Sequence, residues 1–136
     1  MKPTSPSPRP RVAGHPALRC AVLRHEGVAS PHFDVLFETS PGAALATWRA
    51  ERWPPEAGDY VEGAPDHRPA YLTYEGPISG GRGEVRRVFA DTCRSVRLVD
   101  GLLEVTFSDG TELTLIKDGP DQWLVAYNPA PAPYGP

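Results

Sequence analysis

The chain has 136 residues, 40% of them hydrophobic, with a formal net charge of -3 at pH 7 and a pI near 5.8. That length suits one domain with a core of useful size. No apolar run is long enough to form a membrane-spanning helix, and the acidic balance speaks against tight, non-specific binding to long nucleic acid, which needs a basic excess to neutralise phosphates. Mean hydropathy is -0.38, and the N-terminus carries no apolar stretch of the signal-peptide kind, so the expectation is a cytoplasmic protein without a membrane partner. Cys20 and Cys93 form no short pair and read as reduced core thiols rather than a disulfide.

Residues 1–16 are dense in proline, which cannot donate to a ladder and favours extended, solvated chain. They read as a disordered arm, and residues 129–136 as a matching tail, leaving 17–128 as the folded domain. Within it nearly every segment reads as strand: Leu18 to His25, Phe33 to Glu38, Leu45 to Ala50, Pro69 to Tyr74 and Gly83 to Phe89. The stretch Trp53 to Asp66, rich in Pro, Gly and acid, reads as a surface loop. The last third reads as a meander, with Ser95–Val99, Leu102–Phe107 and Glu112–Ile116 joined by Asp100-Gly101 and Asp109-Gly110, both strong hairpin signals. Gln122 to Tyr127 closes the set. Short strands at this spacing predict an all-β fold, a single small β-barrel.

The chemistry concentrates between His25 and Glu38. Side chains alternate faces along a strand, so His32, Asp34, Leu36 and Glu38 share one face, and Phe33, Val35 and Phe37 form the core-like opposite face. If the turn containing Gly27 and Pro31 folds back, His25 joins His32 and Asp34. Two imidazoles and a carboxylate then make a divalent transition-metal site with open positions; the plainer alternative is a polar strand face with a surface ion pair. A second polar segment, Asp66 to Gly76, places His67, Tyr71, Thr73 and Glu75 on one face if it is a strand. His67 and Tyr71 are site candidates, against the alternative that neighbouring backbone satisfies them, and Glu75 is a candidate for orienting a ligand histidine. The Gly-rich turn from Gly76 to Val85 can serve as a tight loop or turn backbone N–H groups toward an anion, with Arg82 as a candidate phosphate ligand. Trp48, Trp53 and Trp123 read as core or rim packing.

The order His25, His32-Phe33-Asp34, Asp66-His67, Tyr71 and Tyr74-Glu75-Gly76-Pro77-Ile78 resembles the 3′-phosphoesterase domain family of bacterial DNA ligase D, over about Ala21 to Val88. The strand bearing Trp48 is similar to that family's Ser-Trp strand. The resemblance implies a small β-barrel that holds Mn²⁺ (or another divalent transition metal) and removes 3′-phosphates or 3′-ribonucleosides from DNA ends. It implies His25, His32 and Asp34 as metal ligands. His67 would act on the scissile phosphate as transition-state stabiliser or general acid, with Tyr71 hydrogen-bonding to phosphate or water. The chain departs from the family at Leu36, where that family carries a phosphate-binding arginine, and it has no Lys or Arg between Trp53 and Asp66.

Three functions follow as expectations. The first is a stand-alone, monomeric metal-dependent phosphoesterase acting on DNA 3′ ends or a smaller phosphoester, working beside a separate repair ligase or polymerase. The second is a non-catalytic module that binds a metal or a nucleic-acid end and has lost the clamping arginine. The third, more distant, is a mononuclear iron oxygenase with His32, Asp34 and His67 as a facial triad.

Overall fold

Apolar–polar alternation between turn residues builds strands, and the computed structural model, which describes residues 17–126, consists almost entirely of them. There are ten: β1 (Leu18–Glu26), β2 (His32–Phe37), β3 (Leu45–Ala50), β4 (Tyr60–His67), β5 (Gly76–Pro77), β6 (Glu84–Cys93), β7 (Ser95–Val99), β8 (Leu102–Thr106), β9 (Glu112–Lys117) and β10 (Gln122–Val125). The arm and tail expected from the sequence lie outside the described residues.

All the strands pair antiparallel in one sheet, in the order β5-β6-β1-β2-β3-β4-β10-β9-β8-β7. The edges, β5 and β7, do not pair, so the closed barrel expected from strand spacing is not shown. At the β5 edge the strand is two residues long and one of them is proline, which offers no N–H to a further ladder. The sheet nevertheless bends round one main core. Phe37, Trp48, Leu103, Leu115 and Trp123, drawn from both halves of the strand order, sit in a single buried cluster. Trp48 and Trp123 meet edge to face at 5.3 Å between centroids, and Trp53 packs against Phe89 at the rim, so all three indoles serve packing. Cys20 and Cys93 are buried free thiols of the same core.

Two segments depart from expectation. The predicted loop Trp53 to Asp66 contains β4, which starts at Tyr60. Pairing with β3 on one side and with the distant β10 on the other overrides its Pro/Gly composition. Gly63 is part of the reason: a Cβ there would stand 3.0 Å from the Trp123 indole nitrogen. The predicted strand Pro69 to Tyr74 is instead a 3-10 turn over Pro69–Leu72. Pro69 begins it, with the φ that its ring imposes and no N–H to lose, after an extended Arg68.

That turn changes the environment of the sheet's second face. Leu72 drops from it onto Ala21, Leu23, Leu36, Leu45 and Val85, a smaller second core. The face of β2 expected to be polar and open is therefore buried from Asp34 onward, and Leu36 is fully inaccessible.

Two β-bulges set which side chains reach this face. Leu45 pairs with His67 but Thr47 pairs with Ala64, so β4 carries one extra residue at Pro65–Asp66. Without it, alternation would put His67 on the face of Val61, toward the main core. With it, His67 joins Asp34. A second shift, between Val22 and Leu23 against β6, puts Phe89 toward the main core and Val85 and Arg87 on the other face.

Glu38 ties the far end of this region together and is 1% exposed. Its carboxylate accepts from the backbone N–H of Arg19 at 2.7 Å and of Gly42 at 3.1 Å, and from the Arg19 guanidinium at 3.0 Å. Burial alone would push this carboxyl up; the Arg19 guanidinium and the two backbone donors outweigh it and hold the group below the usual carboxylate range. A depressed folded pKa stabilises above the unfolded value, about 4.3, and the contribution disappears as pH falls through the folded value. Glu38→Gln is therefore expected to cost about 1–2 kcal/mol at pH 7, discounted for the solvent exposure of Arg19. The gap from the natural chain should close toward pH 3, as read by urea denaturation at a series of pH values.

Candidate metal centre

His25 and His32 face each other directly across the β1–β2 ladder, with ring centroids 4.9 Å apart. Asp34 lies two residues beyond His32 on the same face. One ligand atom from each of the three residues lies within 4.8 Å of the others. Asp34 Oδ1 is 3.2 Å from His32 Nε2, and Asp34 Oδ2 is 3.5 Å from His25 Nδ1. The bulge in β4 brings His67 Nε2 to 3.9 Å from the same Oδ2. Asp34 is 3% exposed, so three imidazole nitrogens approach a buried carboxylate from different strands.

The outer nitrogens of these rings decide what the inner ones can do. His25 Nε2 lies 2.8 Å from the carbonyl oxygen of Arg82, and His32 Nδ1 lies 2.8 Å from that of Ser30. A carbonyl only accepts, so each outer nitrogen carries the proton and donates it. His67 Nδ1 is 3.2 Å from Thr47 Oγ1 and 3.3 Å from the carbonyl of Pro65. Since Thr47 Oγ1 donates its own hydrogen to Leu45 O, it too must accept from His67. In the neutral rings His25 Nδ1, His32 Nε2 and His67 Nε2 are left as lone pairs aimed at a carboxylate. Lone pair against anion is repulsive, and either a proton on the imidazole or a cation between the two groups relieves it. His32 Nε2 is buried and without a hydrogen-bond partner, so it is available as a metal ligand.

The residues fit a divalent transition metal. Ligands bonded at about 2.1 Å stand about 3.0–3.5 Å from one another in tetrahedral or octahedral geometry, and the carboxylate–imidazole distances of Asp34 to His32 and His25, 3.2 and 3.5 Å, fall in that range. Carbonyl oxygens that fix the tautomer of ligating histidines are the ordinary support of such a site. The support depends on Gly83, whose backbone (φ +79°) brings the β5–β6 turn against the end of β1. A Cβ there would fall 2.1 Å from the carbonyl oxygen of Glu26.

The other sequence candidates are placed as follows. Tyr71 does not share a strand with His67, but the 3-10 turn returns it to the site, its ring edge-on to His67 at 5.3 Å. Glu75 does not orient a ligand histidine: its carboxylate accepts from the backbone N–H of Arg87 at 2.7 Å and supports β6. Thr73 is exposed. The Arg82 guanidinium donates to Ser79 O at 2.7 Å and approaches Ser79 Oγ at 3.3 Å, while its main chain holds His25. Sequence reasoning missed Thr47, the buried hydroxyl that anchors His67, and Arg49, which lies opposite Asp34 in the β2–β3 register. Neither carries a local signal, since both matter only through cross-strand pairing.

The centre opens into a cavity of ≈ 390 Å³ lined by Asp34, His25, His67 and Tyr71, with Arg49, Arg68 and Arg82 also on its walls. A broader cleft of ≈ 1130 Å³ adjoins it past His25 and His32. The chain matches no protein-family model, and no curated protein matches it in sequence.

Imidazole ¹⁵N spectra of the metal-free chain are expected to show His25 as the Nε2–H tautomer and His32 as the Nδ1–H tautomer. Titration with Mn²⁺ should saturate at one ion per chain. His32→Ala should weaken binding at least about 100-fold, the loss of one of three protein ligands. Mn²⁺ at 100 times its dissociation constant should raise the unfolding free energy of the natural chain by about 2.7 kcal/mol.

Proposed function

We propose that this chain is a divalent-metal-dependent phosphoesterase that removes 3′-phosphates or 3′-ribonucleosides from DNA ends, with Mn²⁺ as its metal. The observation that carries this reading is the set of imidazole lone pairs turned onto a buried carboxylate in a cavity whose walls also bear three arginines. The nitrogen and oxygen donors suit a transition metal, and the arginines suit a phosphoryl group rather than a neutral substrate.

His25, His32 and Asp34 would hold the ion. When bound, it supplies charge to a phosphoryl oxygen and acidifies a water. The chain's own groups do the rest. His67 faces Asp34 across the cavity with Nδ1 anchored to Thr47 and Pro65, so a second proton is taken up at Nε2, and the imidazolium then donates from that atom to a substrate oxygen or gives the proton to a leaving group. Tyr71 packs edge-on against that ring and limits its rotation. The substrate would be a 3′ terminus, and a separate ligase or polymerase would use the healed end.

A second reading has one observation of its own. Leu36 is completely buried under the site, so the position two residues after the aspartate presents no charge to a substrate. On that basis the chain would bind a metal and a nucleic-acid end without turning over.

The test is a primer-template ending in a 3′-phosphate or a single 3′-ribonucleotide, incubated with Mn²⁺. Metal-dependent product from the natural chain, reduced at least about 100-fold in His32→Ala, is the expected result. A folded, Mn²⁺-loaded chain that retains the end but releases no product would favour the binding module instead.

A further inference from the structure

Arg49 occupies an unusual position for an exposed cation. It stands directly opposite Asp34 in the β2–β3 ladder, and directly opposed residues project from the same face of a sheet with Cβ atoms about 4.5–5.5 Å apart. It lines both the cavity at the metal centre and the broader cleft beside it. Among the described residues its side chain makes no hydrogen bond or ion pair, although Glu62 is its register partner on the other side. The other arginines bordering the cavity are engaged: Arg82 is held by Ser79, and Arg68 lies over the Tyr71 ring at 5.8 Å.

We infer that Arg49 is the anion clamp of this site, the group that receives the non-bridging oxygens of a phosphoryl ligand. This rests on the phosphoesterase reading for the identity of the ligand, but the geometry that assigns it is independent of turnover. The planar guanidinium offers paired N–H donors matching two oxygens of a phosphate. Its strand position sets it opposite Asp34, the carboxylate on which the histidines converge, and its side chain ends on the wall of the same cavity without pairing with that carboxylate. Leu36, on the same face one pair further along β2, is buried and cannot serve. The clamp therefore comes from the neighbouring strand. Because Arg49 lines both cavities, a ligand entering by the broad cleft meets the same cation as one seated at the metal centre.

The experiment pairs inorganic phosphate binding with turnover in the natural chain, Arg49→Gln, Arg49→Lys, Arg82→Gln and, as a charge control, Arg97→Gln. Arg97 is exposed and paired with Glu104 away from the site. Mn²⁺ affinity is measured first and should stay within about threefold in every variant, because none of these residues is a ligand. Phosphate affinity of the Mn²⁺-loaded chain, read by paramagnetic broadening of the ³¹P resonance, should fall at least about tenfold in Arg49→Gln. Arg49→Lys should fall between, Arg82→Gln should lose less, and Arg97→Gln should not change. The rate of 3′-phosphate release should follow the same order. Unchanged phosphate affinity in Arg49→Gln overturns the inference, even if the natural chain is an active phosphoesterase. Loss of phosphate binding in Arg49→Gln, with no turnover by the natural chain, keeps the clamp and removes the phosphoesterase. Failure of the natural chain to bind phosphate overturns the clamp.

Discussion

A carboxylate at 3% exposure needs positive charge or hydrogen-bond donors beside it. Asp34 has three imidazole nitrogens beside it, and each of those rings has already given its N–H to a carbonyl or hydroxyl on the outside. The region is polarised in one direction, with donors spent outward and lone pairs held inward. Much else follows from that arrangement. The β1–β2 turn must place the Ser30 carbonyl under His32, the β5–β6 turn must bring the Arg82 carbonyl to His25, and Gly83 must have no side chain so that this second turn can dock. Loop features that look unrelated in the sequence serve a single electrostatic requirement.

The sheet meets that requirement with two faces of different character. The main core, built on Phe37, Trp48 and Trp123, supplies most of the buried aromatic surface. The second core is small and is covered by a 3-10 turn rather than a strand. It provides a dry floor, with Leu36 at its centre, which lowers the local dielectric and strengthens every charge interaction above it. Leu36 is thus not an empty position in the site. It isolates Asp34 from water on the side away from the cavity.

What the sequence revealed follows the range of the interactions involved. The His25/His32/Asp34 grouping was legible because a hairpin is local: parity along β2 and one turn suffice. The Asp100-Gly101 and Asp109-Gly110 turns were legible for the same reason, since glycine at positive φ is the cheapest way to close such a loop. β4 was not legible, because its pairing with β10 spans most of the domain and nothing in a Pro/Gly-rich segment announces a distant partner. His67 and Tyr71 were chosen correctly as neighbours by a parity that does not exist: a bulge and a 3-10 turn, not a continuous strand, bring them together. Glu75, a candidate for orienting a ligand histidine, accepts instead from a backbone amide of β6, a partner that only cross-strand packing supplies.

The extra residue at Pro65–Asp66 also makes function separable from folding. Strand side chains have only two phases, in or out, and the bulge is the point where β4 changes phase. Before it, Val61 points into the main core; after it, His67, which regular alternation would put on Val61's face, points toward Asp34. A lineage that lost a single codon at this point would recover a regular ladder and keep its hydrophobic framework, yet it would turn its third histidine away from Asp34. The ancestry of such a chain would remain visible in its sheet after its chemistry had gone. Within this architecture, the length of one short segment is therefore a better mark of an intact centre than the presence of any one histidine.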